Sequence, residues 1–289
     1  MKLIVKFNLV LLVIFAIGFA SVGYVSNRLL QRNAKEEILE NARIMMEAAL
    51  AVRSYTSAQI KPLLETQIKY SFLPQSVPAY SANEYFKQLR KKYPDYSYRE
   101  ATLNPTNPVN RATEWEADVV NTFRQSPDRA ELIGERDTPN GKALYIARPM
   151  KVGMPCLACH DTAEAAPRTM VERYGSDNGF GWKANDILTA QIVSAPMQLP
   201  IQRAKSVFAV FMISLSLIFV LIFLALNAML VILITRPVNR LSKLANEVSL
   251  GNLDAPDFEP SGKDEIAELS GAFGRMRKSL VEAIKMLET

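Results

Sequence analysis

Histidine occurs once and cysteine only twice in the 289 residues of this chain. That scarcity excludes a structural zinc site closed by cysteine and histidine, which needs about four protein ligands. A thioredoxin-like redox pair is not expected either, because the stretch from Met150 to Pro155 does not suggest the βαβ setting such a thiol requires. Also missing are any Lys/Arg block and any basic stripe interleaved with aromatics. The formal charge of +5 is spread over both polar parts, so a nucleic-acid partner is not expected.

The three scarce residues stand together, in Pro155-Cys156-Leu157-Ala158-Cys159-His160. Two cysteines separated by two residues can form thioethers to the two haem vinyl groups, and the histidine that follows can ligate the iron axially. Cys156, Cys159 and His160 therefore read as the attachment site of one covalent haem c. A disulfide between the two cysteines is the bland alternative.

Two long apolar runs break an otherwise soluble composition, near residues 3–25 and 207–234. Each is long enough to cross a hydrocarbon core of about 30 Å, the second with length to spare. The first reads as an uncleaved anchor rather than a signal peptide, because Gly18-Phe19-Ala20 is a poor cleavage site. Asn227 in the second run favours a helix–helix contact or a local one. Flanking charges leave the orientation open. Haem is attached to such motifs on the outer side of the bacterial inner membrane, so residues 26–205 are expected in the periplasm and both termini in the cytoplasm.

From Asn27 to about Gln59 the chain has neither glycine nor proline, and Leu30, Ile38, Ala42, Met45, Ala49 and Val52 recur at helical spacings. The first apolar helix is expected to continue as a stalk until Lys61-Pro62 ends or kinks it. Short helices are expected over 82–92, 112–123 and 168–174, and strands over 96–101, 131–136, 142–148 and 186–195. The dipeptide Asn140-Gly141 turns a hairpin. This order predicts an α+β domain, an antiparallel sheet with helices on one face.

After Arg236-Pro237, Val238, Leu241, Ala245 and Val248 follow at steps of three, four and three. Ile266, Leu269, Phe273, Met276, Leu280 and Ala283 repeat that rhythm. Seams this short are expected to pair as a parallel four-helix coiled coil from two chains, with Leu253 and Phe258 of the connector packed over it. With Pro237, Leu241, Gly251, Asp264-Glu265-Ile266, Leu269, Phe273 and Met276 in place, the tail resembles a HAMP domain over about residues 235–287.

A second resemblance rests on Ala51-Val52-Arg53-Ser54-Tyr55-Thr56, Asn104-Pro105 through Asn110, Trp115-Glu116, Phe123-Arg124 and Arg148-Pro149. The attachment motif, Ala166-Pro167, Tyr174-Gly175, Gly179-Phe180-Gly181-Trp182 and Pro196-Met197 continue it. Residues 35–198 resemble a bacterial family of single-haem c, PAS-like sensor domains that often precede HAMP. The resemblance implies a PAS-like sheet holding the haem. Some relatives place a cysteine thiolate on the far side of the iron, a pattern from which this chain departs.

With cysteine and histidine exhausted at the motif, the sixth ligand must be methionine, a weaker oxygen or amine donor, water or nothing. Met46 or Met45, on the stalk, is the expected ligand, with core packing as the alternative. Arg53, Arg99 and Arg148 are candidate partners for the haem propionates, or isolated surface charges. Phe180 and Trp182 lie in a glycine-rich loop that reads either as a tight turn or as an apolar lid on the haem.

The chain is thus expected to have four parts: 1–25 and 206–235 as membrane helices, 26–205 as the haem domain and 236–289 as HAMP. The expected function is that of a dimeric haem sensor relaying a redox or small-ligand signal, with a membrane-anchored electron-transfer cytochrome as the alternative. Enzymatic activity is not expected, since a peroxidase would want distal acid/base groups. No output region follows Thr289 in this sequence, so a separate cytoplasmic partner is expected to receive the signal.

Overall fold

The computed structural model describes residues 3–252, 256 and 264–287. It divides into two compact units, Asn27–Val207 and the pair of segments Met1–Ser26 and Phe208–Thr289.

In the central unit four strands form one antiparallel sheet of order β1-β4-β3-β2: β1 (Ser97–Thr102), β2 (Leu132–Thr138), β3 (Gly141–Lys151) and β4 (Ile187–Pro196). The Asn140-Gly141 turn joins β2 to β3 as expected, with Gly141 at φ +100°. β4 lies between β1 and β3 and is buried along nearly its whole length. A strand buried on both sides needs cover on both sides. Helices accordingly pack on both faces, not on the single face expected from element order.

On one face, Tyr98, Leu144, Ile146, Val193 and Ala195 meet α1 (Leu3–Tyr55) through Ile38, Ala42, Met46 and Ala49, and α3 (Pro78–Leu89) through Ala82 and Phe86. On the other, Ala101, Ala147, Ala190 and Ile192 meet Val119, Val120 and Phe123 of α4 (Glu114–Gln125). The α4 helix opens with a capping box between Thr113 and Glu116, which satisfies orphan amides of its first turn. Each large side chain fully buried in these clusters contributes about 1.5–3 kcal/mol of transfer free energy.

The stalk does not stop at Lys61-Pro62. A π-helical turn, Thr56–Ile60, carries α1 into α2 (Lys61–Ile68), and the Lys61 amide bonds the Thr56 carbonyl five residues back. A second π segment, Leu230–Thr235, joins α7 (Gln198–Met229) to α8 (Arg236–Ser249), again one residue short of a proline, Pro237. Proline has no amide hydrogen and its ring collides with the carbonyl four residues earlier. Shifting the bonding from four to five residues relieves that collision while the helix runs on.

In the second unit, α1 and α7 are long and apolar enough to cross a membrane. Phe15 stacks on Phe219 at 4.8 Å, and Gly23 admits the Met212 methyl where a Cβ would sit 3.1 Å from it. Asn227 takes the local option, donating to the Phe223 carbonyl at 2.9 Å. In the tail, α8 is followed by α9 (Glu265–Leu287); Leu241, Val248 and Ala267 are buried, whereas Leu269, Met276 and Leu280 are exposed. Leu253 and Phe258, expected to pack over the bundle, lie outside the described residues.

Candidate haem-attachment site

The motif forms its own short helix, α5 (Met154–His160), with Pro155 in the first turn where its missing amide costs nothing. Cys156 and Cys159 lie one helical turn apart, both half-buried and not joined to each other. Cys159 packs against a third apolar cluster built from Phe72, Ala166 and Met170, bordered by Ile68, Tyr174 and Phe180. Burial raises its thiol pKa above the ordinary value, partly offset by the charge of Lys61 at the start of α2.

His160 is held by a loop that comes back from α6 (Arg168–Tyr174). Its Nδ1 donates to the Gly179 carbonyl at 2.8 Å and lies 3.2 Å from Thr106 Oγ1. A carbonyl only accepts, so the proton sits on Nδ1 and Nε2 keeps its lone pair. Burial depresses the imidazole pKa, with the Gly179 bond acting the other way, so the ring is held neutral. Trp182 stacks on the imidazole at a centroid distance of 4.0 Å and an angle of 10°.

The loop itself is tied down at both ends. Gly181 N donates to Asp161 O at 2.6 Å and Trp182 N to His160 O at 3.1 Å. Asn104 accepts from Gly179 N at 3.0 Å and donates to Phe180 O at 3.2 Å. Gly179 has φ +88°, and a Cβ there would lie 2.7 Å from the Thr106 backbone, so only glycine permits this approach.

Two thiols, an imidazole with its proton fixed on the far nitrogen, and an indole nitrogen that is buried without a partner among the described residues make a set that fits a covalent haem. Cys156 and Cys159 would hold its vinyl carbons, and His160 would ligate its iron through Nε2.

The structure brings Phe180 and Trp182 to this site: Phe180 borders the cluster with Cys159, and Trp182 covers His160. The described contacts of the other expected residues are with other groups of the chain. Met46 is fully buried in the cluster on the first sheet face, with Met45 against it, and neither joins the cluster of Cys159. Helical periodicity directs position 46 to the sheet together with Ile38 and Ala42, which is why packing claims it. Arg53 pairs with Glu100 at 2.5 Å, Arg99 with Glu116 at 2.9 Å, and Arg148 with Glu47 at 2.6 Å and Glu131 at 3.2 Å. Their described ion pairs are with carboxylates of the chain, and the Glu47 hydrogen bond is the largest influence raising the Arg148 pKa.

Sequence reasoning did not assign Thr106, Asn104 or the Gly179 carbonyl to the site. The signal for them was the turn cluster Asn104-Pro105-Thr106 and the closely spaced glycines after Tyr174, whose meeting depends on folding over about 75 residues.

Comparison with known proteins matches two parts of the chain. The family model described as Tll0287-like, Tll0287, matches residues 31–196, and the HAMP domain model matches residues 229–282. Among solved structures, that titled "Crystal structure of the cyanobacterial heme-protein Tll0287" is similar at 19% identity and a TM-score of 0.43, covering 55% of this chain and 95% of that one. A search of curated proteins found no match.

Proposed function

Because the chain belongs to the Tll0287-like family and continues into a HAMP domain, we propose that it is a membrane-bound c-type haem sensor. In this reading it holds one covalent haem on the periplasmic side of a bacterial inner membrane, with both termini cytoplasmic. It relays a redox or small-ligand signal through HAMP to a separate cytoplasmic partner.

The observation that carries the reading is the His160 arrangement. The Gly179 carbonyl takes the Nδ1 proton and leaves Nε2 as a ligand, one residue after a cysteine that is half-buried beside an apolar cluster. Haem supplies the redox couple or the ligand-binding iron when bound. The chain's residues set the imidazole's tautomer and keep water from it.

The relay has a physical route within the central unit. The loop that holds His160 leads through Asn185, whose amide bonds the Val152 carbonyl, into β4. The β4 strand is followed at once by α7. A shift of the imidazole therefore loads the strand that ends at the second apolar helix. HAMP then converts it by repacking, with the exposed Leu269, Met276 and Leu280 facing a second copy in a homodimer.

Two measurements test the proposal. The purified chain should give a c-type pyridine haemochrome, and spectra of the oxidised, reduced and carbon monoxide forms should separate a redox sensor from a gas sensor. Cysteines placed along residues 266–283 should then crosslink between subunits at rates that differ between oxidised and reduced haem. Redox-independent crosslinking, together with fast electron exchange with a soluble cytochrome, would identify a membrane-anchored electron carrier instead.

A further inference from the structure

Trp182 has two faces, and the stack on His160 uses only one. Its ring lies parallel to the imidazole at 4.0 Å, its backbone amide is tied to the His160 carbonyl, and the indole nitrogen is buried with no hydrogen-bond partner among the described residues. An indole N–H has no acceptor character, so a buried one needs an acceptor delivered to it. Leaving such a donor unmet is costly, and native structures seldom do so.

The haem reading supplies one kind of acceptor. A haem whose pyrrole nitrogens are occupied by iron offers hydrogen-bond acceptors only at its two propionate carboxylates. The arginines expected to meet those carboxylates are engaged by Glu100, Glu116, Glu47 and Glu131. Trp182, stacked on the imidazole expected to ligate the iron, is a donor with no partner among the described residues.

We propose that Trp182 is a positioning residue of the haem whose indole N–H donates to a propionate, while its ring fixes the plane of His160. The assignment rests on the haem reading above. It adds a direct link between a propionate and the loop that runs into β4, since Trp182 touches both the imidazole and the cofactor's acid edge.

The chain has two tryptophans, so replacing Trp115 with phenylalanine isolates Trp182 spectroscopically. In full-length W115F protein with haem attached, the ultraviolet resonance Raman band that reports indole N–H bonding should sit at its hydrogen-bonded position. Adding W182F keeps an aromatic ring on His160 and removes the N–H. The propionate bending mode in the visible resonance Raman spectrum should then shift. The midpoint potential should fall, because a propionate without its donor carries more uncompensated negative charge and favours ferric iron.

A free-indole band in the haem-loaded W115F protein would overturn the assignment. So would a hydrogen-bonded band combined with propionate modes and a potential unmoved by W182F, since water would then be the acceptor. Both results leave a wild-type haemochrome intact and the haem reading standing. A wild-type chain that attaches no haem would overturn the haem reading, and this assignment with it.

Discussion

Arg53 Nη1 lies 2.6 and 2.5 Å from the two carboxylate oxygens of Glu100, a side chain only 3% exposed. The pair continues as a chain of buried bonds: Tyr98 Oη donates to Glu100 at 2.7 Å and Gln191 Nε2 donates to Tyr98 Oη at 2.9 Å. Burial, then the Glu100 charge, pushes the Tyr98 pKa far up, so its phenol stays a donor at any working pH. One network thus ties the end of α1 to β1 and to β4, the strand that precedes α7.

Removing Arg53 strands the Glu100 carboxylate in the core. Arg53→Ala should destabilise the central unit by about 3 kcal/mol, the cost of breaking a buried pair on one side. Glu100→Gln should cost clearly less, because the amide keeps a bond to Tyr98. Calorimetric unfolding of the detergent-solubilised chain would rank the two, and an equal loss would show that the charge itself does not matter.

Gly179 and Gly175 both have positive φ, at +88° and +83°, but only Gly179 is crowded. Gly175→Ala should cost about 1 kcal/mol of backbone strain. Gly179→Ala adds the collision with Thr106 and displaces the carbonyl that orients His160, so it should also lower haem incorporation. Haem content per chain is the deciding readout, with Gly175→Ala as the control.

Each cysteine should carry one thioether. Cys156→Ala and Cys159→Ala should each move the reduced pyridine haemochrome band to the position of a single vinyl attachment, and the double variant should release its haem on acid–acetone extraction. A single variant with an unshifted band would mean that its cysteine is not linked.

Met46 fills a fully buried place beside Ala42, Ala49 and Phe86. Met46→Leu conserves volume and should cost less than about 1.5 kcal/mol, whereas Met46→Ala should cost about 2–5 kcal/mol. Both should leave the haem spectrum unchanged if packing is all that Met46 does. Loss of low-spin bands in Met46→Leu, or in Met45→Ala, would put that sulfur on the iron.

Glu135 accepts a hydrogen bond from Lys35 at 2.7 Å, which holds its carboxyl pKa below the ordinary value. A depressed carboxylate stabilises the fold above its unfolded pKa of about 4.5, and this contribution is lost as pH falls through the folded value. The pair is exposed, so Lys35→Ala should cost less than about 0.5 kcal/mol at neutral pH. Its cost should vanish in acid, as a pH series of unfolding curves would show.

The cofactor motif, the two apolar runs, the HAMP seams and most element positions were legible in the chain, because each is a local pattern. Cys156, Cys159 and His160 are contiguous, α6 matches its expected bounds, and the strands fall within a few residues of theirs. Period and composition suffice where a helix or strand is set by its own residues and their immediate neighbours.

What lay beyond local pattern was how segments distant in sequence meet. Guanidiniums at 53, 99 and 148 look alike in the sequence, and only the fold supplies the carboxylates that pair with them, buried for Arg53 and Arg99 but exposed at Glu47 for Arg148. Helices cover both sheet faces because β4 is central, a matter of strand order. Lys61-Pro62 is expected from sequence to end or kink its helix, yet a π turn carries the helix past it, and a second π turn stands just before Pro237. The motif Cys156-Leu157-Ala158-Cys159-His160 singled out His160 as the expected iron ligand from sequence alone. That Gly179, Thr106 and Trp182 hold the imidazole was decided by tertiary structure, since hydrogen bonding and stacking depend on distances the linear chain does not contain.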